Sequence, residues 1–342
     1  MKTEEFDYAL PAGLIAQHPE GERASSRLLV LNRLDGRIEH CTFRDITGCL
    51  RENDLIVVND TRVMPARLAG TKETGGSVDI LLVEKIDERR WSCLAAGLKK
   101  GAAEAHVLVD GTLLRLRATP PHWTVEFPER LDVAAFLAVC GKTPLPHYIK
   151  RAKNGAAEEA HDAERYQTVY ARKEGSIAAP TAGLHFDEDL LRRIKERGVG
   201  VIELTLHVGI GTFFLIKSAV VEGHEMHRER YALSPDALEK VRETKSRGGR
   251  VIAVGTSTVR TLETVCSGKD GAPLAGYTNL FIYPGYKFRV VDALITNFHI
   301  PRSTPLLLVC AFAGKEAIET AYREAVGLGY RFYSYGDAMF IS

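Results

Sequence analysis

Apolar and polar positions follow two different patterns along the chain. Between residues 63 and 149, short runs alternate apolar with polar side chains: Ser77 to Lys85, Trp91 to Ala95, Thr112 to Ala118 and His122 to Phe127. Period-two runs predict strands, and the GG, KKG, DG and PP punctuation between them predicts turns, so this stretch reads as a small antiparallel barrel or sandwich. In the last run Trp123, Val125 and Phe127 share one face. Elsewhere the period lengthens. Asp187 to Arg197 and Pro235 to Arg247 carry apolar residues at helical spacing, and each is followed by a Gly and a Val/Ile-rich strand. Ser234 ahead of Pro235 supplies an N-cap, and Gly198 and Gly248 stand where helices end.

Leu28 to Asn32 and Leu55 to Asn59 add apolar strands near the N-terminus. The fold expected is therefore α/β: a discontinuous α/β domain, its first part residues 1–62 and its second 150–342, interrupted by an inserted antiparallel β-barrel domain over 63–149. Asn154 to Glu164 (NGAAEEAHDAE) reads as a mobile loop, and there are no internal repeats.

Composition narrows the function classes. The 342 residues are 45% hydrophobic and 26% charged, an ordinary globular balance for about two domains. The longest apolar run, Leu306 to Ala313, is far short of the roughly 20 residues of a membrane span. The acidic start MKTEEFDY lacks the order of a signal peptide, so a cytoplasmic location is expected. Six scattered Cys with no CxxC suggest reduced, mostly buried thiols rather than disulfides or a zinc site. A net charge of +1 argues against a generic nucleic-acid binder, yet Lys142 to Lys153 (KTPLPHYIKRAK) holds Lys142, Lys150, Arg151 and Lys153 with no acidic residue. That strip reads either as an RNA-facing surface or as a solvated linker.

Candidate chemistry concentrates where strands give way to loops. Thr181, His185, Thr205 and His207 fall at such element ends. The apolar strand Leu55 to Asn59 delivers Asn59, Asp60, Thr61 and Arg62 at its end, suited to a ribose or a carboxylate, or else forming a capped turn with an internal Asp-Arg pair. Arg165, Tyr166, Gln167 and Tyr170 offer stacking and planar hydrogen-bonding groups, and the small residues from Gly175 to Gly183 permit close backbone approach. In RVIAVGTSTVRTLETV a strand opens directly into a helix at Thr256, Ser257 and Thr258, with Arg260 one turn along, a setting for an anionic or strongly polar ligand. It lacks the Lys and spacing of a phosphate-binding Walker loop, and the GxG of ELTLHVGIGTFF lacks the rest of a dinucleotide fingerprint. In GHEMHRE, His224, His227 and Glu229 offer a metal or acid-base reading without the HExxH placement.

Taken together, FDYALPAGLIAQHP, SRLLVLNR, VVNDTRVMPARLAG, TPLPHYIKR, RYQTVYA, APTAGLHF, TLHVGIGTF, HEMHRE, AVGTSTVRTLE, PGYKF, TNFHIPRST and RFYSYGDAMFI resemble one family nearly end to end. It is the S-adenosylmethionine:tRNA ribosyltransferase-isomerases of queuosine biosynthesis; the β-rich middle is the least distinctive part. The resemblance implies transfer of the ribosyl moiety of S-adenosylmethionine to 7-aminomethyl-7-deazaguanine at the tRNA wobble position. That moiety rearranges to give epoxyqueuosine, with release of adenine and methionine. It implies no metal or redox cofactor, S-adenosylmethionine being a substrate, and an α/β domain interrupted by a β-barrel. The expected partners are that tRNA and S-adenosylmethionine, without membrane, for a monomer.

Set beside that reaction, His185 and His207 are the candidate bases, with Thr181 beside them. Thr256, Ser257 and Thr258 would meet the departing adenine, and Asp60, Arg62 and Arg260 the ribose or methionine carboxylate. Lys150, Arg151, Arg165, Tyr166, Gln167, Tyr170, His227, Phe298 and His299 would contact tRNA or the target base. Two positions depart from the family pattern. Phe214, Leu215 and Ile216 follow GTF where Arg-Pro-Val is common, leaving Lys217 the nearest cation, and Pro305 replaces an aliphatic residue. Two rival classes remain: a metal-dependent hydrolase built on His224 and His227, and a non-catalytic tRNA-binding module using the Lys142 to Lys153 strip.

Overall fold

The computed structural model describes residues 1–151, 156–213, 215–266 and 273–342. By internal contacts the chain divides into two compact units. One comprises Met1–Arg62, Pro146–Lys150 and Gln167–Ser342; the other comprises Val63–Leu145 and Arg151–Tyr166. The first boundary coincides with the expected one at residue 62. The second is more involved than the single return expected at 150, because Arg151–Tyr166 groups with the barrel.

In chain order the strands are β1 (Arg27–Leu31), β2 (Ile38–Thr42), β3 (Leu55–Asn59), β4 (Thr61–Val63), β5 (Arg67–Lys72), β6 (Ser77–Lys85), β7 (Arg90–Ala96), β8 (Glu104–Val109), β9 (Thr112–Thr119), β10 (His122–Glu126), β11 (Lys173–Ser176), β12 (Gly200–Leu206), β13 (Glu229–Ala232), β14 (Val251–Val254), β15 (Ala275–Thr278), β16 (Ala293–Asn297) and β17 (Ala338–Ile341). The helices are α1 (Val133–Cys140), α2 (Ala156–Arg165), α3 (Glu188–Glu196), α4 (Pro235–Ser246), α5 (Thr256–Cys266), α6 (Thr304–Ala313) and α7 (Lys315–Gly327).

The barrel unit closes in the order β10-β7-β6-β5-β8-β9, every pairing antiparallel. Alternation puts Val78, Ile80, Leu82, Leu114, Leu116 and Val125 inside, all buried. Helix α2 corrects the loop expected over Asn154 to Glu164; Asn154 itself lies outside the described residues. Its acidic side chains hold it to the barrel unit, Glu159 through Lys142 and Asp162 through Arg151.

The α/β unit is built on a nine-stranded sheet ordered β15-β13-β12-β3-β14-β16-β17-β1-β2. Strands β12, β3, β14 and β16 are mutually parallel. Period-two alternation divides their side chains between two cores. Leu55, Val57, Leu204, Leu206, Val251, Ala253 and Leu294 face one layer with α4 to α7. Ile56, Val58, Ile252, Val254 and Ile295 face the other, with α3 and Phe43. Burial on both faces explains the unbroken apolar run of β14 and of β3 up to its closing Asn59. The expected caps form: Ser234 accepts from the Ala237 N–H, and Gly198 and Gly248 take φ of +76° and +74° past the helix ends. Pro305 lies in the first turn of α6, behind the Ser303 cap, where no intrahelical donor is lost. The six Cys are free thiols, but only Cys93 and Cys310 are buried, fewer than expected. No described helix is long and apolar enough to cross a membrane.

Candidate active site

Ligands of open α/β sheets collect beyond the carboxyl ends of parallel strands. Here four neighbouring strands end together, and each end is polar: His207 after β12, Asp60 and Thr61 after β3, Gly255 to Ser257 after β14, and Asn297 closing β16. One buried amide ties three of these ends. The Asn59 amide group donates to the Leu206 carbonyl (2.9 Å) and to Ser257 Oγ (3.2 Å), while its oxygen accepts from the N–H groups of Leu206 (3.0 Å) and Thr61 (3.2 Å).

His207 sits half-buried at this edge. Its N–H donates to the Arg230 carbonyl (2.9 Å), extending the pairing of β12 with β13 by one residue. Its Nδ1 lies 2.9 Å from Thr61 Oγ1, which is 2.7 Å from Ser176 Oγ and 3.4 Å from the Lys173 carbonyl. Ser176 Oγ also accepts from the Val208 N–H (2.7 Å). Among the described residues Nε2 has no hydrogen-bond partner. Gly175 makes room for the ring: at φ +147°, a Cβ there would stand 2.6 Å from Nδ1. Desolvation, followed by the positive charge of Arg230, holds the imidazole below its ordinary pKa; Asp60 opposes and Lys173 assists.

His185 is arranged differently. It ends a short 3-10 turn, Thr181–His185, ahead of the Asp187 cap of α3, and is 5% exposed. Thr181 Oγ1 donates to Asn297 Oδ1 (2.9 Å), so the Asn297 NH2 faces His185 Nε2 (3.1 Å). His185 Nδ1 meets Ser26 Oγ (2.7 Å), and the ring packs on Phe43 at 5.1 Å. Both nitrogens are thus occupied. Burial, with the cations Arg331 and Arg23 adding to it, pushes the pKa down to about 3, so the ring is neutral.

The remaining sequence candidates separate sharply. Asp60 is buried, accepts from Thr205 Oγ1 (2.6 Å) and lies 3.7 Å from Lys173 Nζ. Arg62 is exposed and 3.8 Å from Glu174, so no Asp60-Arg62 pair forms. Thr256 and Ser257 are half-buried at the start of α5. Thr258 is fully buried with its hydroxyl spent on the Val254 carbonyl (2.7 Å), which removes it as a ligand group. Arg260 is likewise removed. It is 6% exposed and paired with Glu229, which accepts the Gly209 N–H (2.8 Å), and it donates to the Leu280 carbonyl (2.9 Å). It braces the loop after His207 from behind.

Of the residues expected to meet tRNA, Lys150 is exposed, whereas Arg151 is nearly buried in a bidentate pair with Asp162 (2.7 and 2.9 Å). Lys153 lies outside the described residues. Tyr166 and Tyr170 are buried, as is Phe298 among Tyr322, Tyr330 and Phe332, so none presents a free ring face to a base. Arg165 and Gln167 are half-buried. His227 is exposed beside Gly211. His299 bonds Thr296 Oγ1 (2.7 Å) and is pushed down to about 3 by burial, a structural role. His224 packs on Phe281 at 5.1 Å, and no group of three or more His, Cys, Asp or Glu among the described residues could hold a metal. Phe214 lies outside the described residues, and Leu215 is exposed.

Sequence reasoning did not single out Ser26, Ser176 or Asn297 as site residues, and it read Gly175 only as the start of a stretch open to close backbone approach. The available signal was a polar residue closing an apolar strand, as in LITN for Asn297. Ser26 and Ser176 carry no such mark, because their partners are 159 and 115 residues away.

The model of the queuosine biosynthesis protein family matches residues 3–341. The S-adenosylmethionine:tRNA ribosyltransferase-isomerase of Pelobacter propionicus is 51% identical over 347 residues, covering 100% of both chains. The enzyme of that name from Thermotoga maritima is 48% identical over 344 residues, again covering 100% of both. Among solved structures, the crystal structure of the S-adenosylmethionine tRNA ribosyltransferase from Thermotoga maritima, at 2.00 Å resolution, matches with a TM-score of 0.57 and 38% identity. That match covers 99% of this chain and 100% of that one.

Proposed function

The chain belongs to the queuosine biosynthesis family, and from that membership we infer that it is an S-adenosylmethionine:tRNA ribosyltransferase-isomerase, moving the ribosyl part of S-adenosylmethionine onto tRNA and rearranging it. The acceptor we propose is the amine of 7-aminomethyl-7-deazaguanine at the wobble position, and the product epoxyqueuosine. A tRNA acceptor supports a cytoplasmic location. The balance closes without an oxidant or reductant: the sulfonium substrate and the amine give the modified tRNA, adenine, methionine and one proton. No metal or redox cofactor enters this reading.

The sulfonium acidifies the adjacent 5′ carbon, so the first requirement is a base that is neutral near pH 7 with an open lone pair. His207 is our base. If the Thr61 hydroxyl donates to the Lys173 carbonyl, Thr61 Oγ1 accepts both from Ser176 and from His207 Nδ1–H, and all the contacts around it are used. The Nε2 lone pair then faces outward to take the 5′ proton. His185, bonded at both nitrogens, positions Thr181 and Asn297 rather than moving a proton. Thr256 and Ser257, at the positive end of α5, donate to the departing adenine, and the buried Asp60, accepting from Thr205, holds the exposed Lys173 beside the strand ends.

The observation carrying this reading is the difference between the two histidines at one polar strand-end cluster: Nε2 of His207 is open, and both nitrogens of His185 are bonded. S-adenosylmethionine deuterated at C5′ tests it. Adenine release should slow with the heavy substrate in the wild type and be lost in His207→Gln with substrate binding kept. Wild-type release by His207→Gln would remove His207 as the base.

A further inference from the structure

Three neighbouring strands of the sheet carry an unbroken row of side chains outward from His207. The register of β12 with β13 places Leu206 opposite Tyr231, and the His207 N–H to Arg230 carbonyl bond carries it on to the pair His207 and Arg230. The register of β13 with β15 places Arg230 opposite Tyr277. Residues directly opposite on paired strands share a face, so His207, Arg230 and Tyr277 lie side by side on one face of the sheet edge. Arg228 completes the row, its guanidinium 4.9 Å from the centre of the Tyr277 ring.

The exposure of this row is unlike that of the aromatic candidates read from the sequence. Tyr277 is 51% exposed, while its neighbour Thr278 and the flanking Glu229 and Tyr231 turn inward and are buried. Arg228 and Arg230 are exposed, and among the described residues neither makes an ion pair, although most arginines of this chain do. An aromatic ring interleaved with guanidinium groups that no carboxylate neutralises is the chemistry that holds single-stranded RNA: rings stack unpaired bases, and arginines take the phosphates between them. Arg230 stands close enough to the imidazole for its charge to lower the affinity of His207 for a proton.

We propose that Tyr277, Arg228 and Arg230 form the anticodon-loop platform of the enzyme, Tyr277 stacking a nucleotide that flanks the target base while the two arginines hold its phosphates. The proposal rests on the assignment of a tRNA substrate. It moves the base-stacking role from the buried Tyr166, Tyr170 and Phe298 to an exposed residue on β15, beside the proposed base.

The test is binding of a synthetic anticodon stem-loop with guanosine at the wobble position, titrated over a range of salt concentrations, with no turnover required. Tyr277→Ala should weaken binding roughly 5- to 150-fold with the salt slope unchanged, and Tyr277→Phe should bind as the wild type does. Arg228→Ala with Arg230→Ala should reduce the slope of log affinity against log salt by about 1.4, the single-strand value for two phosphate contacts. All three side chains are exposed, and unchanged thermal unfolding would show that the variants fold. Wild-type affinity and slope in every variant would overturn the proposal, and a normal Tyr277→Ala beside weakened arginine variants would overturn the stacking role. Adenine release by the wild type, measured separately, decides the tRNA assignment, so its failure is distinguishable from failure of the platform.

Discussion

Replacing Gly175 by Ala should damage catalysis through one named ring. The new Cβ would stand 2.6 Å from Nδ1 of His207 and 2.7 Å from Cε1. Ordinary van der Waals contact begins near 3.4 Å, so the imidazole must retreat by about 0.8 Å. That retreat is enough to break its 2.9 Å bond to Thr61 Oγ1. A misplacement of that size costs on the order of 100-fold in turnover, or about 2.7 kcal/mol of transition-state stabilisation. The φ of +147° adds strain of about 1–3 kcal/mol, which appears as a lower unfolding temperature. Adenine release under saturating substrates, combined with Thr61→Ala in a double-mutant cycle, separates the two effects. If Gly175→Ala acts by pulling Nδ1 of His207 off Thr61 Oγ1, it lowers turnover strongly in the wild type and adds little once that hydroxyl is gone. Full turnover in Gly175→Ala, or an equal loss in both backgrounds, would refute the reasoning.

Four further outcomes follow from the positions of these charged groups. His207 is held below its ordinary value of about 6.5, so with His207 as the proposed base kcat/KM should stay level as pH falls through 6.5 and drop only below it. Arg230→Ala, removing a charge that lowers this pKa, should move that limb to higher pH, and an unmoved limb would assign it to another group. Breaking the buried pair by Arg260→Ala should cost about 3–5 kcal/mol of stability in denaturant unfolding, because Glu229 is left charged and unpaired; little loss would contradict the bracing role. Lys150→Ala should lower the salt slope of tRNA binding by about 0.7, whereas Arg151→Ala, its side chain committed to Asp162, should leave that slope unchanged and lower stability instead.

The fold was legible because most elements carry their own period. Leu55 to Asn59 reads as a buried strand from its residues alone, and Pro235 to Ser246 announces its cap, its stripe and its end. Helix α2 escaped because AAEEAHDAER has little apolar content; ion pairs to Lys142 and Arg151 hold it, and those depend on tertiary placement. Of the candidate site, the strand-end positions were legible and the side-chain partners were not. Thr181, His185, His207, Asp60 and Ser257 do gather at one set of strand ends. Which histidine keeps a free nitrogen depends on Ser26 and Thr61, 159 and 146 residues away, and no local pattern reports such partners. Arg260 misled for the same reason: a guanidinium one turn into a helix reads as an anion ligand until Glu229 appears beside it from β13.

The most direct measurement is adenine and methionine release from S-adenosylmethionine by the purified protein, with and without tRNA carrying 7-aminomethyl-7-deazaguanine, alongside the mass of the recovered RNA. Release is expected only with the modified tRNA, one adenine for each ribosyl-derived group gained, and none from His207→Gln. Release that ignores the modified base, or tight tRNA binding with no release at all, would contradict it.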